Sequence, residues 1–434
     1  MEKLVITGGH RLSGDIPISG AKNSALPILI ATLLAGGEHR IANLPDLVDV
    51  SDTLSLLGRI GCPSLVSGDT LRLNTERIAF HEAPYDVVRR MRASVLVLGP
   101  LLARHGEALV SLPGGCAIGV RPIDQHLKGL EALGATFELT GGYIHGKAPN
   151  GLRGAEIHLD MPTVTGAENI IMAATLAEGT TVIHNCAREP EIEDLARFLN
   201  TLGARVEGAG TSTVTVHGVA RLTPASRPYR IMPDRIEAGT YLCAGAVTKG
   251  EVRVTGVEPS HLSALIGKLE EAGCEVEVGG DWVRVTGAEQ LRPFSVRTAP
   301  YPGFPTDMQA QLMVLAILAS GTSTLEETIF ENRFMHAAEL TRMGADIETR
   351  GNLATVRGRP ALSGATVMAS DLRASAALVI AGLAAEGLTQ VLRIYHLDRG
   401  YENLVGKLRH VGAHIGRVSD REQDLQRLHL AAML

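Results

Sequence analysis

The chain has 434 residues, more than one compact domain usually holds, so two domains are the starting expectation. Hydrophobic residues make up 45% but aromatics only 3%, which requires an aliphatic, alanine-rich core of the kind found between helices and sheets. A net charge of −6 argues against a nucleic-acid binder, which needs a basic face, though a few arginines in a cleft can still receive a small anion.

In chain order, the N-terminus MEKLVITGGHRLSGD lacks a basic segment followed by an apolar run. The apolar stretches 25–35 and 312–319 fall short of the roughly 18 residues that span a bilayer. A cytosolic protein without a membrane partner is expected. Cysteines 62, 116, 186, 243 and 274 show no CxxC spacing and are odd in number, so reduced thiols are expected rather than disulfides or a zinc site.

One pattern then occurs six times. An apolar helix ends in glycine, a short β-branched strand follows, and a second helix closes on Gly-Ala or Gly-Cys. The closing glycines are Gly61, Gly134, Gly203, Gly273, Gly344 and Gly412, about 70 residues apart and beyond the solenoid range. Glycine there suits a left-handed helix cap. Alternating runs such as TFEL, RVEG, EVEV and DIET read as the strands that follow. Each block is a βαβαββ unit, and six units predict two domains of three. Cys62 and Cys274 sit directly after closing glycines, where other repeats have alanine, and read as small buried fillers, as do Cys186 and Cys243.

The starts of the first helices carry residues that packing does not explain: Lys22 and Asn23; Arg92; Glu168 and Asn169; Asp234, Arg235 and Glu237; Asp307; Asp371 and Arg373. Acids at a helix N-terminus have a simple role as caps. Lysine and arginine run against the helix dipole, so Lys22, Arg92 and Arg373 read as anion ligands. Arg121, Arg333 and Arg399 are further basic candidates in loops. No P-loop, no GxGxxG turn and no HExxH spacing occurs, so neither a dinucleotide nor a metal is indicated.

Cys116 stands apart in LPGGCAIGVRPID, a stretch without helix or strand periodicity. Together with GAKNSALP, MRASVLVLGP, AREPEIEDLA, MPDRIEAGT, PTDMQAQ, ENRFMHAAEL, DLRASAALV and YHLDRGYE, it makes the chain resemble the UDP-N-acetylglucosamine enolpyruvyl transferases of the EPSP synthase superfamily. The resemblance runs to about Arg417. It implies a two-domain inside-out α/β barrel, with residues 1–21 and 230–434 in one domain and 22–229 in the other. It implies transfer of the enolpyruvyl group of phosphoenolpyruvate to the 3-hydroxyl of UDP-N-acetylglucosamine in peptidoglycan synthesis, by addition and elimination, in a monomer needing no metal or organic cofactor.

The roles it implies are specific. Cys116 is the mobile proton donor, forms the covalent adduct with phosphoenolpyruvate and takes up fosfomycin; the glycines around it let the loop close. Lys22, Asn23, Arg121 and Arg399 hold phosphoenolpyruvate, with Lys22 and Arg399 also counted as catalytic. Asp307 is the base beside the 3-hydroxyl. The sugar nucleotide meets Asn23, Arg92, Arg121, Pro122, Ile123, Asp124, Gln125, Thr163, Gly166 and the backbone at Ile329. Glu189, Arg333, Asp371 and Arg373 support the cleft. The sequence departs from relatives at Leu96, where many have tryptophan, and in MPTVTGAEN; the tail 419–434 matches nothing. Two other readings stand beside this one: a shikimate-3-phosphate-using relative, and a non-enzymatic ring-forming scaffold of six repeats.

Overall fold

The computed structural model describes residues 2–89, 91–112 and 123–419. Among these, twenty-four strands form six four-stranded sheets. The third repeat shows the common plan. Strand Glu156–His158 leads through helix Val164–Ala174 to a parallel neighbour, Thr180–His184. Helix Pro190–Thr201 then leads to Arg205–Glu207 and Thr213–His217, the latter lying antiparallel between its two neighbours. The spatial order is first, second, fourth, third, and the other five sheets share it.

Three repeats are completed from elsewhere in the chain. Tyr229–Arg230 provides the outer parallel strand beside Glu38–Ala42 of the first repeat. Glu2–Thr7 lies between Leu388–Leu392 and His414–Ser419 as the last strand of the sixth. Ser13–Pro17 opens the fourth by pairing with Glu251–Thr255. The described chain therefore divides into two compact units, 19–112 with 123–232, and 2–18 with 233–419.

All six closing glycines have φ between 94° and 107°, the left-handed conformation that lets a helix turn directly into a strand. The strands alternate as expected: in Thr213–His217, Val214 and Val216 are buried while the threonines and histidine point outward. The first helix of each repeat is mostly apolar and lies inside, with the sheets outside; Leu98–His105 departs from this in its last turn, where Arg104 and His105 reach the surface. In the second unit, helices Arg235–Val247, Gln309–Ile317 and Leu372–Ala384 pack on one another and are buried along almost their whole length. Each unit has its own core, and Cys62, Cys186, Cys243 and Cys274 are buried in these cores.

Close helix contact rests on missing side chains. A Cβ on Gly99 would lie 2.4 Å from the carbonyl oxygen of Asn169, and one on Gly129 would lie 2.1 Å from Ile170 Cδ1. The inner segment MRASVLVLGPLLARHG does not form one helix; a 3₁₀ turn, Arg92–Val97, precedes the α-helix Leu98–His105. Pro100 lies in the first turn of that helix, where its missing N–H costs nothing, and the β-branched Val95 and Val97 favour the break. No helix among the described residues is long and apolar enough to cross a membrane.

Candidate active site

In the second unit, three segments converge on one carboxylate. Asp307 lies in the 3₁₀ turn Thr306–Met308 that opens helix Gln309–Ile317. Arg333 donates from Nη2 to Asp307 Oδ1 at 2.7 Å and from Nη1 to Thr306 Oγ1 at 2.8 Å. Arg373, in the first turn of helix Leu372–Ala384, donates from Nε and Nη2 to Asp307 Oδ2 at 3.0 and 2.8 Å. Both arginines are buried, whereas the Asp307 side chain keeps 26% of its surface. Burial alone would raise the Asp307 pKa, but Arg373 and then Arg333 outweigh it and hold the carboxyl well below the usual range. The group is ionised at neutral pH and fixed in direction.

The surroundings keep this arrangement rigid. Asp371 caps its helix, accepting from the N–H groups of Arg373 and Ala374 at 2.9 and 3.0 Å. Arg373 stacks over Tyr401 at 5.5 Å, and its Nη1 is buried without a hydrogen-bond partner among the described residues. Buried Glu327 accepts from Ile329 N–H at 2.8 Å, Phe330 N–H at 3.2 Å, Thr298 Oγ1 at 2.9 Å and Thr306 Oγ1 at 2.8 Å. It thus ties the loop at Ile329 to the turn carrying Asp307. Arg399 ends the 3₁₀ helix Ile394–Arg399 and is half-buried. His336 is buried and pushed down to about 4, by burial first, with Asp371 opposing and Arg333 adding to the fall.

The first unit holds the other set. Helix Lys22–Ala31 begins after Ala21, which has no side chain to cap it. Pro27 lacks the N–H that would bond the carbonyl of Asn23, so that carbonyl is left out of the helix ladder. Lys22 Nζ lies 3.3 Å from Asp49 Oδ2, with 13% and 4% of the two side chains exposed. Its reading as an anion ligand is thus incomplete: the ammonium already faces a carboxylate of its own unit. Ser24 donates to Asp194, which also accepts from Tyr229 Oη at 2.6 Å and Met232 N–H at 3.1 Å. Asp194 fastens the start of this helix to the end of the unit.

Arg92 opens its 3₁₀ turn after Met91, again without a side-chain cap. Thr163 caps helix Val164–Ala174, accepting from Gly166 N–H at 3.3 Å. Behind them lies a network whose proton positions can be deduced. Gly99 N–H donates to Asn169 Oδ1 at 2.7 Å, so Asn169 Nδ2 is the donor toward Val95 O and His126 Nδ1 at 3.1 and 3.0 Å. The His126 proton is then on Nε2, 3.2 Å from Thr165 Oγ1. Burial, with Arg92 adding to it and Asp124 opposing, lowers His126 to about 4, and the ring is neutral. Gln125 links Asp124 and Asp160, at 3.0 and 2.9 Å. Glu168 is fully buried, its Oε1 without a hydrogen-bond partner among the described residues; burial first, then Glu191 and Glu189, raise it well above the usual range.

Lys22, Asn23, Arg92, Ile123, Asp124, Gln125, Thr163, Gly166 and Glu189 thus belong to the first unit; Asp307, Ile329, Arg333, Asp371, Arg373 and Arg399 belong to the second. Cys116, Arg121 and Pro122 lie outside the described residues. Arg373, read from sequence as an anion ligand, has Asp307 as its partner instead, because the carboxylate approaches from another segment 66 residues away. Sequence reasoning missed Asp49, Asp194, Glu327 and His126. Acids at 49 and 194 within otherwise apolar helix faces were the available signal, but their partners lie 27 and 170 residues away.

Six repeats, a buried helical layer in each unit and acid-and-base clusters at helix starts define a class. The family described as EPSP synthase (3-phosphoshikimate 1-carboxyvinyltransferase) matches residues 6–408, and the chain belongs to it. Within the family, it is 55% identical over 420 residues to the UDP-N-acetylglucosamine 1-carboxyvinyltransferase of Trichlorobacter lovleyi, covering 97% of this chain and all of that one. The protein of that name from Anaeromyxobacter dehalogenans is 58% identical over 423 residues, covering 96% of this chain and all of its own. Among solved structures, the enolpyruvyl transferase NikO from Streptomyces tendae aligns with a TM-score of 0.85 at 28% identity, over 96% of this chain and 99% of that one. EPSP synthase from Acinetobacter baumannii shares the fold, with a TM-score of 0.75 at 17% identity over 96% and 100%.

Proposed function

We propose that the chain transfers the 1-carboxyvinyl group of phosphoenolpyruvate to the 3-hydroxyl of UDP-N-acetylglucosamine and releases phosphate, as a cytoplasmic monomer serving peptidoglycan synthesis. The observation that carries this is full-length identity above half to relatives bearing that activity in their name. The shikimate-using alternative has the family description and a likeness of fold at 17% identity on its side, but none of the relatives named above at more than half identity carries that name, and nothing above favours the scaffold reading.

In this reading the addition step protonates the methylene carbon of phosphoenolpyruvate while the sugar oxygen bonds to the adjacent carbon and loses its proton. Elimination removes a proton from the new methyl group and expels phosphate, restoring the double bond. Lys22, Arg121 and Arg399 neutralise the phosphate and carboxylate; Asn23, Arg92, Ile123 to Gln125, Thr163, Gly166 and the Ile329 backbone receive the sugar nucleotide. Cys116 is the acid, and Glu189 and Asp371 brace the cleft. Asp307 orients the 3-hydroxyl. Clamped by Arg333 and Arg373, it is a weak base at rest and takes the proton only as the C–O bond forms and the hydroxyl becomes acidic.

The test is phosphate release from phosphoenolpyruvate, run with UDP-N-acetylglucosamine, with shikimate 3-phosphate, and with neither. Release with the sugar nucleotide alone is expected; release only with shikimate 3-phosphate overturns the proposal. Cys116→Ala should abolish that release with the fold intact, and wild-type rates would remove the thiol from the mechanism.

A further inference from the structure

The outer face of the third repeat's sheet carries a group that the reaction does not use. His158 and His184 are direct neighbours in register on the parallel strands Glu156–His158 and Thr180–His184. Glu156 precedes His158 by two residues, so strand alternation places it on the same, outward face, while Ile157 and Ile183 point into the core. The two imidazoles stack with centroids 4.5 Å apart and planes 14° from parallel. Their Nε2 atoms both face Glu156 Oε1, at 2.9 Å from His184 and 3.8 Å from His158. One ligand atom from each of the three residues lies within 4.8 Å of the other two.

We propose that Glu156, His158 and His184 form a surface site for a borderline divalent transition ion of the zinc type. A tetrahedral zinc with bonds of about 2.0–2.1 Å requires its ligand atoms to be about 3.3 Å apart, and the two separations from Glu156 Oε1 bracket that value. Two imidazoles and one carboxylate suit zinc rather than magnesium or calcium, which select oxygen. The strands fix the three Cα positions, so binding needs only side-chain rotation. With 71% of His158 and 67% of Glu156 exposed, the remaining coordination position is open to water.

The experiment is calorimetric titration of the full-length protein with Zn²⁺ at neutral pH, with Mg²⁺ as the control ion. The wild type should take up a zinc equivalent that the His158→Ala/His184→Ala variant lacks, with Glu156→Gln weakening it about tenfold or more. Cu²⁺ should report two coordinating nitrogens by electron paramagnetic resonance in the wild type and lose that signature in the double variant. Both variants lie on a solvent-facing sheet surface, and their phosphate release in metal-free buffer should match the wild type. Zinc uptake of equal stoichiometry and affinity in wild type and double variant, or Mg²⁺ binding as tightly as Zn²⁺, overturns the proposal.

Discussion

The inner helices of the two units begin differently. In the second unit, Asp234 and Asp371 cap their helices, each accepting two backbone N–H bonds, and Asp307 lies in the turn opening the third. In the first unit, two of the three starts, at Lys22 and Arg92, have no side-chain cap and place a cation beside the helix end. Only Thr163 caps in the ordinary way. One architecture therefore yields two electrostatic characters: an acid-lined set whose carboxylate is held by arginines, and a set in which Lys22 and Arg92 open helices that have no side-chain cap. Repeats built on the same plan divide the labour by what stands at one or two positions per helix.

The comparison can be broken most sharply at Asp307. Asp307→Asn removes the charge between two buried arginines, and turnover should fall about 10²–10⁴-fold, measured by phosphate release. Circular dichroism should stay native while the melting temperature drops, because the guanidinium groups lose a charged partner. A rate within a factor of two of wild type would show that the acid set is structural only. Lys22→Ala probes the basic set. It should raise KM for phosphoenolpyruvate about ten- to a hundredfold, the value of a charge-assisted hydrogen bond of about 1.5–3 kcal/mol. An unchanged KM would leave Lys22 as the partner of Asp49 alone.

A smaller effect concerns pH. His126 is neutral in the fold with a pKa of about 4, against about 6.5 when unfolded. The unfolded chain binds the extra proton first, so the contribution of this residue is complete above pH 6.5 and is lost as pH falls toward 4. The full loss is about 3 kcal/mol. His126→Gln should flatten the fall in melting temperature between pH 7 and pH 4.5 relative to wild type; parallel curves would place the acid sensitivity elsewhere. Asp307, lowered rather than raised, titrates below this window and should not set it. A change of the opposite sign is expected at Glu168, whose folded-state pKa is held well above the usual range, by burial first and then by Glu191 and Glu189. Its contribution is present below the unfolded value and is lost with rising pH, so Glu168→Gln should stabilise the protein more at pH 8 than at pH 5 by thermal melts. Equal shifts at both would mean that the group is already paired when ionised.

The six repeats, the left-handed turn at each closing glycine and the burial of four thiols were legible from sequence, because each depends on neighbours within a few residues; the order of strands in each sheet was not, since Glu2–Thr7, Ser13–Pro17 and Tyr229–Arg230 pair with segments far away in the chain. Fold class and family were likewise carried by short ordered motifs. The roles of Asp49, Asp194 and Glu327 were not legible. Each acid looks like any polar residue until the chain brings a lysine, a serine or a set of threonine and backbone donors to it. Arg373 shows the same limit from the other side: its place at a helix start was plain, and its partner was not.

Local conformation, periodicity and repeat number were thus determined by the sequence itself, since steric preference and hydrophobic alternation act over a few residues. Which charge faces which was decided only by the tertiary structure. Electrostatic and hydrogen-bond energies depend on distance and burial, and neither exists until segments far apart in the chain have packed together.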